Sequence, residues 1–243
     1  KYFDKFKKNA NGNIVTYGYK DSDTLKIEDY TLKSDKTIIN FKYKNKTYEV
    51  ISPLLGSFNV DNLAASILCV LCKGLSFDTI ITRVRKLKQI EGRMEIMPFT
   101  DKYTVILDYA HTTDALNNIL TFLDMVKENK IITVTGSAGG REKSKRPAMG
   151  RVVLEKSDYV IFTMDDPRYE DPDSIIDDLV SGSDNNNYER VIDRKDAIYR
   201  ALDMAKDKDI VLVTGKGRDD YMAVDDKYLP YCDYDVIKSY YEQ

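Results

Sequence analysis

The sequence has no tryptophan, one histidine and three cysteines among its 243 residues. Three scattered cysteines do not form the even, closely spaced set of a disulfide-stapled domain, so that class of protein is excluded. No apolar run has the length that a bilayer-spanning helix needs, and no stretch has the form of a signal peptide. We therefore expect no membrane insertion and a cytoplasmic location.

An excess of positive charge is also lacking. Lysine and arginine number 37 against 40 for aspartate and glutamate, which gives a net charge of -3, and the cations are scattered along the chain. A nucleic-acid or membrane surface needs clustered cations, so neither is expected as the main partner. The chain is long enough for two domains and apolar enough to build a core without staples.

Two of the cysteines, Cys69 and Cys72, form a C-x-x-C pair in the apolar helical run from Leu63 to Leu71, which Cys72 directly follows. The run predicts a helix, and two thiols one turn apart on it are expected to pack in a core. A zinc or redox protein is the alternative. The sequence offers no second Cys/His pair to complete a metal site.

The pattern of apolar residues changes near residue 97. The part before it predicts strands with one wet face at 14–19, 25–27, 37–43 and 47–50, and helices at 63–72 and 77–87. The part after it predicts strands at 103–107, 131–135, 159–163, 190–192 and 210–214, and helices at 114–127, 146–156, 173–179 and 194–206. The chain is therefore predicted to be α/β. A β-rich and helical domain, 1–97, precedes a domain, 98–243, with a Rossmann-like, mostly parallel sheet.

The stretch from Gly136 to Pro147 is a basic loop between a predicted strand and a predicted helix. Its small residues would let backbone N–H groups approach a ligand, and four cations would supply charge: Arg141, Lys143, Lys145 and Arg146. This composition predicts an anion site, and a solvated basic loop is the alternative. The spacing is neither that of a P-loop nor that of G-x-G-x-x-G.

Four polar segments follow predicted strands directly, at 108–111, 136–146, 165–168 and 215–220. The carboxyl ends of parallel strands lie at one edge of a sheet, where open α/β sheets bind their ligands. The sequence therefore predicts that these four loops converge on one cleft.

Six ordered motifs resemble those of the Mur ligase family, and most closely its MurE type. They are F-N-x-x-N at 58–62, G-R-M-E at 92–95, D-Y-A-H-T-P-D at 108–114, G-x-G-G-x-R-D-K-x-K-R-P at 136–147, D-N-P-R at 165–168 and G-K-G-H-E at 215–219. The departures from these patterns are Thr113, Ala138, Glu142, Asp166, Arg218 and Asp219.

The resemblance implies three domains in a whole family member: a uridine-nucleotide domain, a central ATPase domain and a C-terminal domain. This chain resembles the end of the second and all of the third. The family's P-loop, carbamylated lysine and most Mg²⁺ ligands would precede it. ATP and Mg²⁺ are the implied cofactors. We expect a fragment that does not turn over alone and that binds ATP or amino acid weakly.

The resemblance also assigns roles to residues, with no catalytic side chain and no metal ligand among them. Nucleotide binding is implied for Asn59, Asn62, Arg93, Asp108 and His111. For His111, a polar loop residue without a catalytic task is the alternative. Binding of the incoming amino acid is implied for Arg141, Asp165, Asp166, Arg168, Gly215 and Asp219.

The implied reaction adds the third amino acid of the peptidoglycan stem to UDP-N-acetylmuramoyl-L-alanyl-D-glutamate through an acyl phosphate. The partners are that precursor, a diamino acid and ATP. Arg168 favours meso-diaminopimelate over L-lysine, whereas Asp166 adds a negative charge that weakens this preference. Lys216 is predicted either to take part or simply to be solvated. A folylpolyglutamate-synthase-like ligase and a non-catalytic nucleotide- or ligand-binding module remain as alternatives.

Overall fold

The structure is a computed structural model that describes residues 3–242. The chain divides into two compact units, of which the first ends at Lys88 and the second begins at Gln89. The division precedes the boundary at 97 that the sequence pattern predicts, because Glu95 and Ile96 pair with a strand of the second unit. In the described part of the chain, every helix is too short or too polar to cross a bilayer.

The first unit contains a four-stranded sheet. Its elements are α1 (Phe3–Asn9), β1 (Tyr17–Gly18), β2 (Leu25–Leu32), β3 (Thr37–Tyr43), β4 (Lys46–Ser52), α2 (Ser57–Cys72) and α3 (Phe77–Val84). The strands lie in chain order, with β1 parallel to β2 and the other pairs antiparallel. Lys44 and Asn45 both have positive φ, as the tight turn between β3 and β4 requires.

Helix α2 packs one face onto this sheet. Leu63, Ile67 and Leu71 recur at the helical period and join the sheet residues in one apolar core. Cys69 and Cys72 lie off this stripe and are both exposed. The prediction that these thiols pack in a core is therefore wrong, because the apolar run continues around the helix beyond the face that the sheet covers.

The second unit is built around a six-stranded sheet. Its elements are β5 (Glu95–Ile96), β6 (Thr104–Asp108), α4 (Thr113–Val126), β7 (Ile131–Thr135), a 3₁₀ turn (Lys143–Lys145), α5 (Arg146–Lys156), β8 (Tyr159–Phe162), α6 (Pro172–Val180), β9 (Tyr188–Arg190), α7 (Arg194–Met204), β10 (Ile210–Thr214), β11 (Tyr221–Val224), β12 (Lys227–Pro230) and α8 (Asp233–Tyr241).

The strand order is β5-β6-β10-β7-β8-β9, and all pairs except β5–β6 are parallel. The prediction of a mostly parallel sheet is confirmed. Alternate residues of the central strands, such as Val105 and Val211, share a core with Ala197 of α7 and Ile237 of α8. Strands β7 and β10 are buried at every position, as expected for a sheet covered on both faces.

Candidate functional site

A cleft of about 650 Å³ lies within the second unit, at the carboxyl edge of the parallel sheet. Its walls come from the loops after β6, β7, β8 and β10. The lining residues are Tyr109, His111, Thr112, Ser137, Ala138, Arg141, Glu142, Lys145, Asp165, Asp166, Arg168, Gly215, Asp219 and Tyr221. The predicted convergence of four polar loops is therefore confirmed, with Arg141, Arg168 and Asp219 in one cleft.

The basic loop contributes fewer cations to this cleft than its composition predicts. Arg146 is 0% exposed and donates to the carboxylates of Glu170 and Asp178 and to the Ala138 carbonyl. Lys143 also pairs with Glu170, at 3.0 Å. The prediction that all four cations serve an anion is wrong, because two of them neutralise acids of the protein. Arg141 and Lys145 line the cleft.

Glu170 organises this loop. Its carboxylate accepts from Arg146 at 2.9 and 3.2 Å and from the Gly140 N–H at 2.7 Å. The Arg146 hydrogen bonds, with that of Gly140, lower the pKa of Glu170 to about 2. The sequence analysis missed this residue, since a single glutamate in a loop carries no signal of a buried arginine partner.

Two glycines of the loop serve close packing between loops. A Cβ at Gly136 would overlap the Thr163 carbonyl oxygen, and one at Gly139 would overlap that of Pro167. The Gly139 N–H donates to the Asp166 carbonyl at 3.0 Å, so it is already satisfied within the protein. The small residues thus seat the loop after β7 against the loop after β8.

The loop after β8 is fixed to β11. Asp166 and Arg168 both have positive φ. The Arg168 N–H donates to the Ala223 carbonyl at 3.0 Å, and the Ala223 N–H donates to Asp166 Oδ1 at 2.9 Å. Lys216 Nζ lies 2.8 Å from the same carboxylate oxygen. Lys216 is buried rather than solvated, and the charge of Asp166 is compensated, contrary to the expectation of a free extra charge.

Three donors in the cleft have no partner within the described residues. Arg168 Nε and Ser137 Oγ are buried atoms without a hydrogen bond there. Arg141 is exposed, and no hydrogen bond or ion pair to another described residue involves it. A buried N–H without a partner is costly, so these groups are suited to an anionic ligand.

Acidic side chains also line the cleft. Asp165 is buried in the cleft and has no hydrogen-bond partner within residues 3–242, and burial raises its pKa. The neighbouring Arg194 is committed to Asp233, at 2.7 Å, and to the Thr214 carbonyl. Gly215 lies against the Asp165 carboxylate, where a side chain would collide with it.

Tyr109 connects several predicted site residues. Its hydroxyl donates to Asp219 Oδ1 at 2.9 Å, and burial together with this bond raises the pKa of Tyr109 to about 12. The Arg93 guanidinium lies 4.9 Å from the ring centroid. His111 Nδ1 lies 2.7 Å from the Tyr109 carbonyl oxygen, and Lys145 Nζ donates to the His111 carbonyl. Sequence reasoning did not single out Tyr109, although it lies inside one of the motifs.

Asp108 does not line the cleft. Its buried carboxylate accepts the N–H groups of Met94 and Ala110, each at 2.7 Å, and burial raises its pKa. It therefore joins the 92–95 turn to the end of β6. In that turn, Glu95 forms an ion pair with Arg218.

The two predicted adenine-binding asparagines belong to the first unit. Asn59 Nδ2 donates to the Leu55 carbonyl at 2.7 Å, and Asn62 Nδ2 donates to Asn59 Oδ1 at 3.2 Å. Their nucleotide role stays a prediction. Within residues 3–242, no group of three or more His, Cys, Asp or Glu side chains could hold a metal ion.

Comparisons with known proteins match both units. The family model described as "Mur ligase, glutamate ligase domain" matches residues 92–217, and "Mur ligase middle domain" matches residues 1–70. The chain is 38% identical to UDP-N-acetylmuramoyl-L-alanyl-D-glutamate--2,6-diaminopimelate ligase of Aquifex aeolicus, over 98% of this chain and 48% of that protein. The protein of the same name from Clostridium tetani is 37% identical to this chain, over 100% of this chain and 50% of that protein.

Solved structures give the same picture. A structure of a UDP-N-acetylmuramoyl-L-alanyl-D-glutamate--2,6-diaminopimelate ligase superposes with a TM-score of 0.69 at 30% identity, covering 99% of this chain and 51% of that one. Folylpolyglutamate synthase of Thermotoga maritima shares the fold, with a TM-score of 0.59 at 20% identity. The match covers 79% of this chain and 43% of that one. The chain thus spans about half the length of the relatives it matches.

Proposed function

This chain belongs to the Mur ligase family, and we propose that it is part of an ATP-dependent ligase of peptidoglycan synthesis. The reaction would add the third amino acid to UDP-N-acetylmuramoyl-L-alanyl-D-glutamate. ATP would phosphorylate the D-glutamate carboxylate and leave as ADP; the amine of the incoming amino acid would then attack the acyl carbon, form the amide bond and expel phosphate. Such chemistry depends on positioning and on charge stabilisation at the phosphates.

The second unit supplies the binding site for the incoming amino acid. This proposal rests mainly on Arg168, which lines the cleft and whose buried Nε has no hydrogen-bond partner among the described residues. With Arg141, it gives two cations for two carboxylates, while Asp165 and Asp219 can accept from amines. meso-Diaminopimelate carries two carboxylates and two amines, whereas L-lysine has no distal carboxylate. The site therefore supports diaminopimelate.

The nucleotide would be shared with a P-loop that these residues do not contain. Asn59 and Asn62 would contact the adenine, and Arg93 with Asp108 the ribose and nearby phosphates, with His111 beside the nucleotide. Mg²⁺ would be held mostly by residues outside this chain. We expect domain closure to bring these groups to the ATP, and no ligation by this chain alone.

Replacing Arg168 by alanine tests the amino-acid assignment. In the ligase polypeptide that carries this chain, Arg168→Ala should lower kcat/KM for meso-diaminopimelate by about 100-fold, since a charge-assisted hydrogen bond contributes roughly 1.5–3 kcal/mol. L-lysine use should change by less than about threefold. Arg151→Ala is the matched control, because Arg151 is exposed and, within residues 3–242, its side chain donates a hydrogen bond to the Gly182 carbonyl alone.

Unchanged use of diaminopimelate by the Arg168→Ala variant would contradict the assignment. The two alternatives give different results with the 243-residue chain in calorimetry. A folylpolyglutamate-synthase-like ligase would bind glutamate in preference to diaminopimelate. A non-catalytic module would bind its ligand with full affinity in this chain and would confer no ligation on the longer polypeptide.

A further inference from the structure

Lys216 has no role in the function proposed above, yet it is one of the most buried side chains of the second unit. It is 1% exposed and lies between Gly215 and Gly217. Its Nζ is 2.8 Å from Asp166 Oδ1 and 5.1 Å from the centroid of the Tyr221 ring. A lysine is rarely buried unless it is paired, so this contact defines its position.

The pair is joined to Arg168 through one residue of β11. The Ala223 N–H donates to the same Asp166 oxygen at 2.9 Å, and the Ala223 carbonyl accepts the Arg168 N–H at 3.0 Å. The Asp225 N–H donates to the Arg168 carbonyl at 2.8 Å. The Arg168 backbone is therefore held in the cleft wall by the strand that also holds Asp166.

The charges around Arg168 would otherwise disfavour a carboxylate. Asp165, Asp166 and Asp219 all line the cleft, and Arg168 and Arg141 are its guanidinium groups. Lys145 and Glu142 also line the cleft, so its lining carries three cations and four carboxylates. Lys216 adds a fourth cation, 2.8 Å from Asp166 and 3.9 Å from Asp219. Without it, Asp166 would present an uncompensated charge two residues from the arginine that is to receive the ligand's carboxylate.

We propose that Lys216 is a specificity-determining positioning residue. By neutralising Asp166, it makes the subsite beside Arg168 accept a second carboxylate and so selects a diamino dicarboxylic acid over a diamino monocarboxylic acid. The resemblance places asparagine where this chain has Asp166 and lysine at position 216, as in this chain, so Asp166 is the added charge that Lys216 compensates here. This inference rests on the proposed function.

Titration of the 243-residue chain with meso-diaminopimelate and with L-lysine, followed by NMR, tests the proposal. In Lys216→Met, the dissociation constant for diaminopimelate should rise about tenfold or more, as expected for a juxtaposed like charge. That for L-lysine should change by less than about threefold. In the double variant Asp166→Asn/Lys216→Met, diaminopimelate affinity should return to within about threefold of the parent, because the introduced amide keeps the acceptor for the Ala223 N–H without the charge.

Lys208→Met is the matched control, since Lys208 forms an exposed ion pair with Glu128. L-lysine binding and the thermal melt report whether each variant is folded. If Lys216→Met does not fold, the double variant and Lys216→Arg still carry the test, and loss of selectivity in both overturns the proposal.

Equal weakening of both ligands, or no recovery in the double variant, shows a structural role and overturns the inference alone. A parent chain without preference for diaminopimelate overturns the amino-acid assignment of the proposed function and this inference with it.

Discussion

Glu170 should stabilise the second unit through its bonds to Arg146 and Gly140. Glu170→Gln keeps an acceptor for the Gly140 N–H but turns an amide donor toward the Arg146 guanidinium. The side chain of Arg146 is 1% exposed and would keep Asp178, itself 43% exposed, as its remaining acidic partner. Breaking one side of a buried pair costs more than the pair contributes, because the other charge stays buried.

The magnitude follows from the pKa of Glu170, which falls from 4.5 to about 2 on folding. At 1.36 kcal/mol per pKa unit this corresponds to roughly 3 kcal/mol of unfolding free energy at neutral pH. The Glu170 side chain is 19% exposed, and screening by solvent reduces the expected loss of unfolding free energy to about 2–3 kcal/mol. Because the folded-state pKa is lowered, the contribution is complete above pH 5 and is lost as the pH falls through 4.5 toward 2. More than half should be gone at pH 3.

Urea unfolding followed by circular dichroism at pH 7, 5, 4 and 3 measures this directly. The difference between the parent and Glu170→Gln should shrink steadily as the pH decreases. Glu142→Gln is the control in the same loop, since Glu142 is exposed and, in the described part of the chain, its carboxylate accepts a hydrogen bond from Ser144 alone. This variant should lose less than about 0.5 kcal/mol of unfolding free energy at any pH. A difference for Glu170→Gln that is equally large at pH 3 and pH 7 would refute the reasoning.

Two further predictions concern packing and exposure. Gly139→Ala should destabilise the second unit by about 2 kcal/mol or more in urea unfolding, because the added Cβ would collide with the Pro167 carbonyl oxygen. Gly12→Ala is the control and should have little effect, since there is open space around Gly12. Equal destabilisation by the two substitutions would contradict this prediction. In the native chain, the exposed Cys69 and Cys72 should react rapidly with a thiol reagent, and the half-buried Cys232 should react slowly. A reaction time course with fewer than two rapidly reacting thiols would contradict the structure.

Strands that are apolar throughout were predictable from the sequence. Ile131–Thr135 and Ile210–Thr214 have the predicted bounds, because each is buried along its whole length. The short strands β5, β11 and β12 were not predicted. Glu95–Ile96 has two residues, and the hairpin at 221–230 is fixed by pairing with Arg168, a contact between residues far apart in the chain.

The sequence predicted which loops form the candidate site, but it did not predict which charged side chains in those loops are already paired. The sequence placed Arg141, Arg168 and Asp219 after strands, and parallel topology then brought them into one cleft. It did not show which cations were already neutralised. Arg146 pairs with Asp178 and Lys216 with Asp166, and the partners in each pair are more than 30 residues apart in the chain. No local pattern marks such partners.

The position of β10 between β6 and β7 has a consequence for biosynthesis. Strands β6 and β7 are consecutive in the chain but are not neighbours in the sheet, and each keeps an open edge until β10 is synthesised, about 75 residues after β7. A nascent chain that stops before Ile210 therefore lacks the strand that joins the two parts of the sheet, and it lacks Gly215, Asp219 and Tyr221 of the cleft lining. The complete cleft can therefore form only late in translation, after β10 and the loop that follows it have been synthesised.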